Sequence, residues 1–229
     1  MITIRDLRFR WNRQRHNLLE IDEFSMSRGD RLFLKGASGS GKSSFLSLLS
    51  GITLPQSGSI EILGQPINEL KPEQRDEFRA DHIGYIFQMF NLIPYLPVID
   101  NVTMPCHFSR IREERVAGTG RQIVDEAKRL LDALGLSETE IINKPVTELS
   151  VGQQQRVAAC RSLIGSPEIL IADEPTSSLD ADAQKAFVDL LSEECRQNDI
   201  TLLFVSHDTG LNRHFDRTAA LVDGNIIFE

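Results

Sequence analysis

Short apolar runs alternate with stretches of helical periodicity along this chain, and that alternation predicts a parallel sheet with crossover helices. ITIRDLRF near the start, LLEIDEFSM, RLFLKG, SIEIL, IGYIF, EILIA, TLLFVS, AALV and IIF read as strands. Between Arg121 and Leu134 the apolar positions Ile123, Ala127, Leu130, Leu131 and Leu134 recur at helical spacing, and Gly135 stands just past the end as a stop. Ala183, Ala186, Phe187, Leu190 and Leu191 mark another helix beginning near Asp182, and Ser137 with Glu140 offers a capping box for a short helix before it. Asp223-Gly224, between AALV and IIF, is a tight-hairpin signal. From about Lys71 to Ser150 strand signals thin out and helix signals dominate, which predicts a helical subdomain inserted into an α/β core.

One stretch departs from both patterns. Ile83 to Ile99 runs about 17 residues without a charge, yet Gln88, Asn91, Pro94 and Pro97 interrupt it, and a spanning helix wants ~20 apolar residues. It reads either as a buried strand running into a loop or as a docking surface for a hydrophobic partner.

Composition narrows the classes. With 229 residues, 41% hydrophobic and 25% charged, the chain has the balance of a soluble globular protein large enough for a core without staples. Its 25 Lys+Arg against 33 Asp+Glu, a net charge of −8, argue against duplex DNA or RNA as the main ligand, because such binding neutralises phosphates with cations. Cys106, Cys160 and Cys195 lack CxxC or His spacing, so neither a disulfide framework nor a zinc site is expected, and a reducing cytoplasm fits. The start MITIRDLRFRW carries charges where a signal peptide needs an apolar run.

The first chemistry-bearing motif is Gly36-Ala37-Ser38-Gly39-Ser40-Gly41-Lys42-Ser43, placed after the strand RLFLK and before the helical run SFLSLLSG that Ser44 begins with it. This is GxxxxGK[ST] in its required strand–loop–helix context. Glycines let the backbone aim several N–H groups at phosphate oxygens, and the helix N-terminus adds its positive dipole end. Lys42 would pair with the β- and γ-phosphates and the Ser43 hydroxyl would ligate Mg2+. The second motif is the acidic pair Asp173-Glu174 closing the apolar strand EILIA. Ligands of open α/β folds bind at that sheet edge. Taken alone the pair reads as a polar strand terminus; beside a phosphate loop it reads as Asp173 for Mg2+ and Glu174 as general base.

Leu149-Ser150-Val151-Gly152-Gln153-Gln154-Gln155-Arg156 then resembles the LSGGQ signature of ATP-binding cassette (ABC) transporter ATPases, and the likeness extends over essentially the whole chain. It implies a P-loop ABC cassette as one domain over residues 1–229. That domain would have a mainly parallel sheet core, an antiparallel β part on the N-terminal side and a helical signature subdomain at approximately 89–160. By the same resemblance Trp11 stacks on adenine, Gln88 is the Q-loop glutamine serving Mg2+ and water, Ser178-Leu179-Asp180 is the D-loop, and His207 is the switch histidine. Trp11 has a competing reading as a half-buried strand aromatic, with Phe9 available for its role. Ser150, Gly152 and Gln153 would contact ATP held by a second cassette placed head to tail. Val151 replaces the first signature glycine; either the backbone there is ordinary helix-start geometry, which is the expectation, or the site is weakened.

Asn91-Leu92-Ile93-Pro94-Tyr95-Leu96 and Asp100-Asn101-Val102 are similar to the subgroup of lipoprotein-releasing and macrolide-exporter ATPases. That implies integral membrane permease subunits as partners and a peripheral position on the cytoplasmic face of the bacterial inner membrane. The alternatives are an ABC ATPase of a cell-envelope or division complex and a soluble P-loop ATPase acting on nucleic acid. The last would want a basic surface, a coiled-coil insert or two cassettes in one chain.

Overall fold

The computed structural model describes residues 1–12, 16–136 and 141–229, so the capping box expected at Ser137 and Glu140 lies outside the described residues. The chain runs β1 (Ile2–Phe9), β2 (Leu19–Met26), β3 (Arg31–Lys35), α1 (Lys42–Leu49), β4 (Ser57–Ile62), β5 (Gln65–Pro66), α2 (Pro72–His82), β6 (Ile83–Ile86), α3 (Val98–Phe108), α4 (Arg110–Gly118), α5 (Ile123–Ala133), α6 (Val151–Leu163), β7 (Ile169–Asp173), α7 (Ala181–Gln197), β8 (Thr201–Val205), β9 (Arg217–Val222) and β10 (Asn225–Phe228). Every strand read from the sequence is present, and the two-residue β5 is added to them.

Burial explains how the strands sort into two sheets. β1 and β2 bury Ile2, Ile4, Leu7, Phe9 and Leu19, Ile21, Phe24, Met26 while intervening residues are half-buried or exposed, the signature of a sheet with one wet face. They join β4 and β5 in an antiparallel sheet ordered β2-β1-β4-β5. β8 is buried at every position and β7 at all but its last, as a sheet covered on both faces requires. These form the centre of the second sheet, β10-β9-β3-β8-β7-β6, parallel except where β10 turns back on β9. That turn places Asp223 and Gly224 at φ 47° and 80°, the conformation a two-residue hairpin demands.

Two apolar layers hold the sheets. One, including Phe24, Phe45, Leu49, Ile171 and Leu203, fills the space between the two sheets and α1. The other packs α3, α5, α6 and α7 through Val102, Leu130, Val157 and Leu191 against Leu170, Leu202 and Phe204. Polar clamps join the helices to the sheet edge and to one another. Fully buried Arg112 of α4 donates to the carbonyls of Ala80 (2.7 Å), Ile83 (2.8 Å) and Ile164 (3.0 Å), and Arg129 of α5 meets Glu194 of α7 at 2.5 Å. Burial holds the Arg112 guanidinium down at about 10.

The uncharged Ile83–Ile99 stretch divides between its two readings. Ile83 and Ile86 are buried in β6, whereas Met89 and Tyr95 in the following turns are 82% and 79% exposed. Among the described residues no helix is long and apolar enough to cross a membrane.

Candidate functional site

β3 delivers the Gly-rich loop to the carboxyl edge of the parallel sheet, and α1 carries the chain away from it. Gly39 and Gly41 stand at φ 81° and 104°, and Gly41 is the residue before the first helical turn. A side chain at either position would be strained. With no side chain capping that helix and no acidic residue in its first turn, its N-terminal end faces the cleft as a positive pole.

A cleft of about 600 Å³ opens there, lined by Leu18, Ser38, Gly39, Gly41, Lys42, Ser43, Ser44, Gln88, Asp173, Glu174 and His207. The fold thus brings together residues that lie up to 189 positions apart, from Leu18 to His207. Lys42 Nζ donates to the carbonyls of Gly36 (2.7 Å) and Ala37 (3.1 Å) and lies 3.7 Å from Glu174 Oε1. His207 Nδ1 is 2.8 Å from Glu174 Oε2. The Ser43 side chain stands by the Asp173 carboxylate and favours its charged form. Burial and the charge of Glu174 push Asp173 above the usual carboxylate range, with Lys42 and Ser43 offsetting only part.

Glu174 does not continue the strand. Its backbone sits at φ 48°, in the left-handed region, while its N–H still donates to the Val205 carbonyl at 2.9 Å. That strained step separates two adjacent carboxylates, Asp173 toward Ser43 and Glu174 toward Lys42 and His207. The donor set suits a hard cation and a triphosphate: a hydroxyl, a desolvated carboxylate and an amide oxygen for Mg2+, with an ammonium and helix N–H groups for phosphate oxygens.

The other expected residues take up different positions. Gly36, Ala37 and Ser40 line a neighbouring cleft of about 910 Å³ that shares Leu18, Ser38, Gly39 and His207 with the first. Trp11 donates through Nε1 to Ser44 Oγ at 3.1 Å and is 46% exposed, whereas Phe9 is 1% exposed, so of the two aromatics only Trp11 presents a face at the loop. Ser150, Gly152, Gln153 and Asp180 do not line the cleft of their own chain. Ser150 caps α6 in a reciprocal pair with Gln153, at 3.3 Å and 2.9 Å, and Asp180 caps α7 through Ala183 N at 2.8 Å. Val151 is the first residue of α6 and is absent from the left-handed region, so ordinary helix-start geometry is what this position has. Leu18 is a cleft residue that carries no motif.

A second concavity of about 390 Å³ lies beside the turn after β6, lined by Tyr85, Phe87, Asn91, Met104, Pro105 and Phe108 among others. Phe108 is 77% exposed at its rim.

A family profile described as ABC transporter matches residues 19–177. Among curated relatives, the uncharacterized ABC transporter ATP-binding protein YbbA of Escherichia coli is 39% identical over 204 residues, covering 89% of this chain and 86% of that protein. The lipoprotein-releasing system ATP-binding protein LolD of Syntrophotalea carbinolica is 35% identical over 213 residues, 93% of this chain and 90% of that one. Among solved structures, the dimeric post-hydrolysis ATP-binding cassette MJ0796 bound to ADP and Pi superposes with a TM-score of 0.84 at 28% identity, over 100% of this chain and 98% of that one.

Proposed function

The chain belongs to the ABC transporter family, as an ATP-binding and ATP-hydrolysing subunit, and from that premise we propose how its residues divide the work. The observation that carries the reading is the convergence of Lys42, Ser43, Gln88, Asp173, Glu174 and His207 on one cleft. Lys42, released from the Gly36 and Ala37 carbonyls, and the N–H groups of residues 36–44 hold the phosphates of ATP. Ser43, Asp173 and Gln88 hold Mg2+, which when bound neutralises charge on the phosphate oxygens. Glu174 accepts the proton of the attacking water, and His207 orients that carboxylate and donates toward the γ-phosphate. Trp11 stacks on the base.

Ser150, Gly152 and Gln153 serve a different nucleotide. Their capped helix start is an anion site held away from the cleft of its own chain, which favours contact with ATP bound by a second copy, head to tail. Asp180 lies at that shared interface. We read residues 1–229 as one domain, with the helical subdomain at approximately 89–160 inserted in the core.

The second concavity supports the reading of a membrane partner. Its aromatic and Met lining suits an amphipathic helix of an integral permease, and this supports a position on the cytoplasmic face of the membrane. The likeness to lipoprotein-releasing and export ATPases favours export or lipoprotein release over import. Lys42→Ala should abolish ATP binding and turnover; a variant that still hydrolyses ATP at the native rate refutes the site. Phe108→Asp should keep ATP binding but lose the permease that copurifies with the tagged native chain from detergent extracts; retained permease refutes the groove.

A further inference from the structure

The C-terminal end of α6 is fastened to the chain on both sides of Gln88. Before it, Ser162 Oγ donates to the Tyr85 carbonyl at 2.8 Å. A Cβ on Gly84 would stand 2.3 Å from the Ser162 carbonyl oxygen, so here the backbones of β6 and α6 are in direct contact. After it, Arg161 grips two successive carbonyls, Nη2 on Phe90 and Nη1 on Asn91, each at 2.6 Å. Phe90 and Asn91 hold φ of 60° and 49°, a left-handed pair that non-glycine residues keep only where their surroundings enforce it. Burial depresses the Arg161 guanidinium below its ordinary value, so this charge is desolvated in order to hold backbone oxygens.

We propose that Arg161 is a positioning residue for Gln88: its two-carbonyl grip holds the turn after β6 in the shape that presents Gln88 to the phosphate cleft. The same grip ties that turn to the far end of the helix that Ser150 caps, about 16 Å away along the axis at ~1.5 Å per residue. Asn91 and Arg161 both line the second concavity, so an occupant of that groove touches the link directly. A neutral or shorter side chain at 161 would leave two carbonyls unpaired and let the left-handed pair relax. Gln88 would then lose its aim while the phosphate loop, built on other elements, keeps its own.

The proposal rests on the reading of Gln88 as the residue that serves Mg2+ and water, and a double-mutant cycle separates the two. Gln88→Ala, Arg161→Met and the double variant are compared by steady-state ATPase, with ATP and Mg2+ varied independently. Arg161→Met should lower kcat about tenfold, leave KM for ATP within about twofold, and raise the Mg2+ concentration giving half-maximal rate. In the Gln88→Ala background it should change the rate by less than about twofold, because a residue acting through Gln88 has nothing left to position. Multiplying effects, or an unaltered Mg2+ dependence, overturn the Arg161 proposal while leaving Gln88 in place. A native rate in Gln88→Ala overturns both. Should Arg161→Met not fold, Arg161→Lys, which reaches one carbonyl, carries the same cycle with the same outcomes.

Discussion

The two ends of β7 carry carboxylates in opposite states. Glu168, just before the strand, meets Arg115 Nη2 at 2.5 Å and His82 Nδ1 at 3.0 Å. Burial works to raise it, but the bond with His82 and the charge of Arg115 outweigh that and hold it below the usual carboxylate range. Asp173, five residues on, is raised by burial and by the neighbouring Glu174, and its cationic support is incomplete. One end is electrostatically saturated and fastens α4 to the sheet; the other is left short of positive charge. On the proposed mechanism a cation and a polyanion bound there would make up that deficit.

The contrast can be broken by substitution. Glu174→Gln removes the proposed proton acceptor and should lower ATP turnover by about 100-fold or more, with ATP affinity nearly kept. Asp173→Asn should also cut turnover steeply, yet melt at the native temperature or a few degrees above it in EDTA, since a like-charge pair has been relieved. Glu168→Gln should do the reverse. The half-buried pair is worth about 1–2 kcal/mol after screening, so its melting point should fall by roughly 2–8 °C while turnover stays within about threefold. If Asp173→Asn melts lower than Glu168→Gln, the two ends do not differ as described.

Titration sharpens the same comparison. A depressed carboxylate stabilises the fold above its unfolded pKa and loses that contribution as pH falls through its folded one; a raised carboxylate destabilises the fold until it is protonated. The stability gap between the native chain and Asp173→Asn should therefore close first as pH is lowered. The gap to Glu168→Gln should close later, below about pH 4.5. Thermal melts across a pH series without Mg2+ would show either this order or its inverse. The smallest effect is expected at the signature. Val151→Gly should alter turnover by less than about threefold, since Val151 already begins α6 in ordinary geometry, and a large gain would mean the native site is impaired.

Elements that bury an apolar face were legible from the sequence. β7 and β8, α5 with its Gly135 stop, and the Asp223-Gly224 turn each follow from a local pattern, as does the phosphate loop. α2 and α4 were not individually legible, because α2 fully buries none of its residues and the buried positions of α4 are only Arg112 and Val116. Those helices are held by arginines donating to carbonyls on distant elements, an arrangement no periodicity announces. Within the site, local motifs named Lys42, Ser43, Asp173 and Glu174 and the family resemblance named Gln88 and His207, but the left-handed step at Glu174 and the Arg161 grip depend on long-range contacts. Leu18 reaches the cleft only because β2 runs beside the hairpin turn, where Glu20 N meets the Gly224 carbonyl.

The proposed mechanism has ATP shared between two copies, the cleft of one and the capped helix start of the other. Light scattering of the Glu174→Gln chain with Mg2+ and ATP tests this most directly. The mass should rise from the 25.8 kDa of a single chain to twice that value, and fall back when Ser150→Arg is added. A chain that binds ATP yet keeps the single-chain mass, or a dimer indifferent to Ser150→Arg, would contradict it.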